Sequence, residues 1–149
     1  MHVVFRASQA KGDWSFRRAK NYKNIQRLVE KFSVMYAVHV LSMANVGNHL
    51  HLHAKFSSRP AYRAFIRALS GAIGMAVTGL NRWTKKIAGK LKFWDHRPYS
   101  RIVLSLRQFL NLKDYVAENQ LEGQGVSRDI AWLIVEMERD KNGHPADFG

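Results

Sequence analysis

Hydrophobic positions along the chain alternate between a period of two and a period near 3.6, and the switches mark out the elements. His2 to Ala7 is β-prone and predicts a first strand, followed by a polar, basic connection from Ser8 to about Lys20. From Asn21 the period is helical: Ile25, Leu28, Val29 and Phe32 form one stripe, with Asn21 or Asn24 placed to cap it. Ser33 to Met43, rich in Val, Tyr and Leu, predicts a second, long strand. Asn45-Val46-Gly47-Asn48 carries turn chemistry, and His49 to Phe56 alternates strictly, so strands two and three read as an antiparallel hairpin. Ser57, Ser58 and Pro60 open the longest helix, whose apolar positions run through Phe65, Leu69, Ile73, Ala76, Leu80, Trp83 and Ile87. Gly71, Gly74 and Gly79 each cost that helix roughly 1 kcal/mol relative to Ala and predict a break or a close backbone approach. Phe93 to Leu104 reads as a fourth strand, which Pro98 assigns to an edge or a bulge. Leu106 to about Gln120 is helical again, with Leu106, Phe109, Leu110, Lys113 and Val116 facing inward. Ile130 to Glu138 predicts a last helix. The order β-α-β-β-α-β with extra helices is the split βαβ arrangement of the α+β class, an antiparallel sheet with two helices on one face. One domain over 1–149 is expected, with 123–149 a flexible linker and C-terminal helical tail.

Composition narrows the function classes. At 46% hydrophobic and 23% charged residues the chain has material for one core and is not a disordered segment. Cys is absent, which excludes a disulfide scaffold, a thiolate zinc site and a cysteine nucleophile. The longest apolar stretch, Gly71 to Leu80, is about half the roughly 20 residues a membrane span needs. Val3-Val4-Phe5 is too short to be the apolar region of a signal peptide, so a cytoplasmic location is expected. The charge changes the picture most. Lys and Arg number 24 against 11 Asp and Glu, a net +13, and such an excess predicts a polyanionic partner, because cations that neutralise phosphates release condensed counterions.

Two segments carry candidate chemistry. In Asn48-His49-Leu50-His51-Leu52-His53-Ala54 the strand period places the three histidines on one side and Leu50, Leu52 and Ala54 on the other. With the leucines beneath the helices, the imidazoles face an open sheet surface, where two of them two residues apart can converge on one cation. The alternative is a set of solvent-exposed histidines. His39 and His96, on other strands, are secondary or incidental. In the late helix Tyr115 and Asn119 are four apart and share a face at the edge of the buried stripe. An amphipathic Tyr with its hydroxyl in water is the alternative there.

Taken in order, the His-hydrophobic-His pair of Asn48-His49-Leu50-His51-Leu52 and the helical Tyr-Val-x-x-Asn of Tyr115 to Asn119 resemble the HUH single-strand DNA transposases with one catalytic tyrosine, which include the REP-associated tyrosine transposases. Phe93 to Arg101 is similar to the family's Trp- and Arg-containing strand, and His2-Val3-Val4-Phe5 to its opening strand, so the likeness extends from the N-terminus to about Gln120. Val46-Gly47 stands where the family usually has Met-Pro. The resemblance implies a ferredoxin-like fold with the tyrosine-bearing helix near the face opposite the other helices. His49 and His51 would be ligands of a divalent ion, Mg²⁺ or Mn²⁺. Tyr115 would be the nucleophile, and Asn119 the helix-borne ligand, with Gln120 beside it as the other choice. It implies an endonuclease and strand transferase forming a 5′-phosphotyrosine on single-stranded, hairpin-bearing DNA, in some relatives as a homodimer. A phenol with a free pKa near 10 is a weak nucleophile, so such chemistry needs help in losing the proton or an activated electrophile.

Basic residues supply a path for the strand. Arg59, Arg63 and Arg67 share one face of the long helix, Lys85 and Lys86 crowd its far end, and Arg17 and Arg18 precede the first helix. Arg97 and Arg101 flank Tyr99, and Trp14, Tyr22, Trp83, Trp94 and Tyr99 are available for stacking on unpaired bases. The rival class is a non-catalytic nucleic-acid-binding module of the same fold. Against it, no segment matches the aromatic signature of RRM domains.

Overall fold

A computed structural model describes residues 1–81, 83 and 92–142. Alternation builds its sheet. In β1 (His2–Arg6) Val3 and Phe5 point to one face and are fully buried, and in β3 (His49–Lys55) Leu50, Leu52 and Ala54 do the same. These strands pair antiparallel, with Val4 opposite His51 and His2 opposite His53. Strand β2 (His39–Asn45) pairs with β3, and β4 (Tyr99–Arg101) with β1, giving the antiparallel order β2-β3-β1-β4. This is the ferredoxin-like split βαβ sheet expected from the element order.

The apolar face lies under α1 (Ala19–Met35) and α2 (Arg59–Thr78). Ile25 and Val29 from the first, and Phe65, Leu69 and Ile73 from the second, complete one cluster with the strand residues. Each fully buried Leu, Ile or Phe contributes roughly 1.5–3 kcal/mol. The opposite face is crossed by α3 (Leu106–Gly123), whose Leu112 and Val116 pack on Ala44, and α4 (Arg128–Lys141) packs on α3. Among the described residues no helix is long and apolar enough to cross a membrane.

The structure corrects several element boundaries. Ser33 to Met35 belong to α1, and the second strand begins only at His39. The helix stops with Ala37 at φ 51°, where the Val38 amide donates to Ser33 O and the Ala37 amide to Val34 O, a Schellman ending without a glycine to announce it. Asn21 caps nothing: its amide donates to the carbonyls of Asp13 and Ser15 and ties the preceding loop down. Helix α2 ends at Thr78, because Gly79 takes the left-handed conformation (φ 69°). Leu80 and Trp83 therefore lie past the helix, and Ile87, with Lys85 and Lys86, lies outside the described residues. The fourth strand is three residues long rather than twelve. Phe93 and Trp94 plug the end of the core, and pairing starts only after Pro98, which has no N–H to give to a ladder. In α3 the inward positions are Phe109, Leu112 and Val116, while Leu106 and Lys113 are exposed.

Candidate active site

On the histidine face, β1 and β3 alternate in step, so His2, Val4 and Arg6 lie beside His53, His51 and His49. Helix α3 then closes over them. It starts where Ser105 Oγ accepts from the Gln108 amide and Gln108 Oε1 accepts from the Leu104 amide, a variant of the capping box. It ends where Gly123 meets the carbonyl of Asn45 so closely that no side chain would fit. Between these two anchors Phe109 covers His53, with ring centroids 4.8 Å apart, and Tyr115 reaches His51. His51 and His53 are 3% and 2% exposed, which overturns the alternative of solvent-facing histidines for these two.

The tyrosine and the histidine pair meet. The Tyr115 ring stands edge-on to His51 at 5.6 Å between centroids and to His2 at 5.8 Å, and the His49 and His51 rings are 5.0 Å apart. Tyr115 remains 46% exposed, so an incoming polymer can reach its hydroxyl. All of these rings border one pocket of about 470 Å³, to which Arg6, His96, Arg97 and Tyr99 also contribute. Asp95 places that last group. Its amide donates to the Arg6 carbonyl (3.0 Å), and its carboxylate accepts from the Ser8 amide (2.9 Å) and hydroxyl (2.6 Å). These hydrogen bonds hold the Asp95 carboxyl below the usual carboxylate range and fold the connection before β4 over the pocket. Among the described residues no acidic side chain lines it, so its polar wall is two phenols, imidazoles and guanidinium groups, complementary to an anion.

Burial, followed by the neighbouring imidazoles of His49 and His2, pushes the His51 pKa down to about 3. Burial also lowers His49, with the Arg6 charge adding to it, and lowers His2. At neutral pH the imidazoles are uncharged, the form that binds a cation. His49 Nδ1 lies 2.5 Å from Asn48 Oδ1, a bond that leaves Nε2 as the free nitrogen. His51 Nδ1 lies 3.1 Å from His2 Nε2, and His51 Nε2 is buried with no hydrogen-bond partner among the described residues. A buried nitrogen without a partner costs about 1–3 kcal/mol and fits a ligand position. Among the described residues no group of three or more His, Asp or Glu side chains is placed to hold a metal ion, so the protein's contribution to such a site is the His49 and His51 pair.

The other expected site residues fall in different places. Asn119 donates its amide to the Tyr115 carbonyl (2.7 Å) and does not line the pocket. Gln120 is committed elsewhere: Oε1 accepts from the Asn45 amide (3.0 Å) and Nε2 donates to the Tyr22 hydroxyl (3.5 Å). Arg97 borders the pocket and Arg101 a neighbouring one of about 360 Å³ on the other side of Tyr115. The stem of Arg17 lies beside Gly47 in the turn before His49, whereas Arg18 is paired with Asp13 at 2.6 Å. Arg63 and Arg67 sit on α2, across the sheet from the histidine face. Lys85 and Lys86 lie outside the described residues. Sequence reasoning passed over His2 and Arg6, although Val3 and Phe5 as core residues imply that His2 and Arg6 share the other face.

Neither a protein-family model nor a curated protein sequence matches the chain. Among solved structures it is similar to one from Deinococcus radiodurans R1 described as a "putative transposase", with 13% identity, 80% of this chain and 88% of that chain covered, and a TM-score of 0.49.

Proposed function

We propose that the chain is a metal-dependent endonuclease and strand transferase for single-stranded DNA of the HUH tyrosine-transposase kind, acting on hairpin-bearing strands. The observation that carries this reading is one basic pocket in which an accessible phenol, two neutral imidazoles and two arginines converge. Tyr115 Oη attacks the scissile phosphorus; the P–O3′ bond breaks, the phenolic proton is lost, and the departing 3′ oxygen takes up a proton. The products are a 5′-phosphotyrosine and a 3′-hydroxyl, and attack by a DNA hydroxyl on the phosphotyrosine reverses the step, so one site cuts and rejoins. Arg6 and Arg97 hold the phosphate and offset its charge. His49 and His51 would hold a divalent ion through Nε2. Bound there, Mg²⁺ or Mn²⁺ supplies Lewis-acid stabilisation of the phosphate and in-line alignment.

The test is covalent capture. Wild-type protein with Mn²⁺ and a hairpin-bearing single strand is expected to give a denaturant-resistant protein–DNA adduct. Tyr115→Phe loses the adduct and keeps strand affinity within about twofold, since a hydroxyl is removed and the ring contacts remain. Substituting His49 or His51 lowers cleavage and Mn²⁺ binding together. Strand binding with no adduct from the wild type would instead make the chain a non-catalytic binding module.

A further inference from the structure

We propose that His2 is the positioning residue of the histidine pair: it accepts the Nδ1 proton of His51 and so fixes the tautomer with a bare Nε2, a role that rests on the metal-binding reading above. Only one proton lies between His2 Nε2 and His51 Nδ1 at 3.1 Å; the ring planes are inclined by only 13° and the centroids are 5.4 Å apart, a separation that requires the two nitrogens to lie on the line between the rings, so each in-plane orbital is directed at the other. Two arrangements are available. If His2 donates, His51 must carry its own proton on Nε2, where an N–H is buried with no acceptor. If His51 donates, that N–H is satisfied by His2, and the atom left bare is the Nε2 lone pair, the form of imidazole that can bind a cation.

The neighbouring histidine decides between them. His49 has its Nδ1 against Asn48 Oδ1, an acceptor that cannot donate, so its Nε2 is bare. With His2 accepting from His51, both imidazoles present the same nitrogen, each oriented from behind, which is how ligating histidines are commonly held. The edge-on contact of His2 with Tyr115 means that the same side chain also borders the nucleophile. Its place in β1, diagonal to His51 across the ladder, makes the contact a consequence of strand register.

Long-range ¹⁵N–¹H correlation spectra of the metal-free protein at neutral pH read the tautomer directly. His51 is expected with a protonated Nδ1 and a bare Nε2. His2→Gln, whose amide oxygen can stand in for Nε2, keeps that pattern and Mn²⁺ affinity within about threefold. His2→Phe keeps the ring volume, loses the acceptor, shifts His51 towards the Nε2–H form and weakens Mn²⁺ binding about tenfold or more. An Nε2–H tautomer in the wild type, or one unmoved in His2→Phe, overturns the proposal. If the spectra follow this pattern and the wild type binds no Mn²⁺, the tautomer assignment stands and the metal reading of the pocket fails.

Discussion

A histidine that must stay neutral in the fold makes stability depend on pH. His51 takes a proton near 6.5 when unfolded and near 3 when folded. Between those values the unfolded chain binds the additional proton, so stability rises with pH, is fully present above 6.5 and is lost as pH falls towards 3. By pH 4.5 the loss from this residue alone is roughly 2–3 kcal/mol. Urea denaturation of the metal-free protein at pH 7 and 4.5 should show it, and His51→Asn should flatten that part of the profile. A wild-type profile already flat would mean that the imidazole is hydrated in the fold. The alternation around His51 was legible from residues 48–54, because a strand period of two separates Leu50 and Leu52 from the histidines without further information. The burial of His51 and His53 was not, since it depends on a helix about sixty residues later in the chain laying Phe109 and Tyr115 across that face.

At the scale of elements the misreadings cluster where a boundary lacks its usual residue. Helix α1 ends on Ala37 in the left-handed region, where a Cβ costs roughly 1–2 kcal/mol, so nothing in Ser33 to Met43 marked the change from helix to strand. Ala37→Gly should therefore raise stability by about 1 kcal/mol in urea denaturation, less the greater freedom that glycine has in the unfolded chain. No change would mean that the Val38–Ser33 and Ala37–Val34 hydrogen bonds do not set this ending. For β4 the opposite holds: Phe93 and Trp94 are strand-prone, yet Asp95 commits the segment that follows them to Ser8 and Arg6, and the ladder begins only at Tyr99. Gly123 shows what sequence spacing cannot reveal, a close approach. Its Cα faces the Asn45 carbonyl, and a methyl there must push α3 off β2. Gly123→Ala should cost about 1–3 kcal/mol, the usual range for overpacking. Because Tyr115 rides on the same helix, adduct yield should fall more than strand affinity. An unchanged adduct yield would mean that the helix end is not what registers Tyr115 against His51.

For the molecule as a whole, the charge of +13 predicts a polyanionic partner but not the surface along which it would lie. The fold divides the arginines between two sides. Arg6, Arg97 and Arg101 border the pockets that flank Tyr115, while Arg63 and Arg67 belong to α2 beyond the apolar layer. A strand threaded past Tyr115 meets the first set, and each phosphate neutralised on single-stranded DNA adds about −0.7 to the slope of log affinity against log salt. Three such contacts give about −2, so a fourfold rise in salt lowers affinity roughly twentyfold from these arginines alone. Arg97→Ala and Arg101→Ala should each make the slope shallower by about 0.7, and Arg63→Ala should leave it unchanged, as read by anisotropy titrations over a salt series. The reverse ranking would put the strand on the α2 side and would separate DNA binding from the phenol that the proposed chemistry requires.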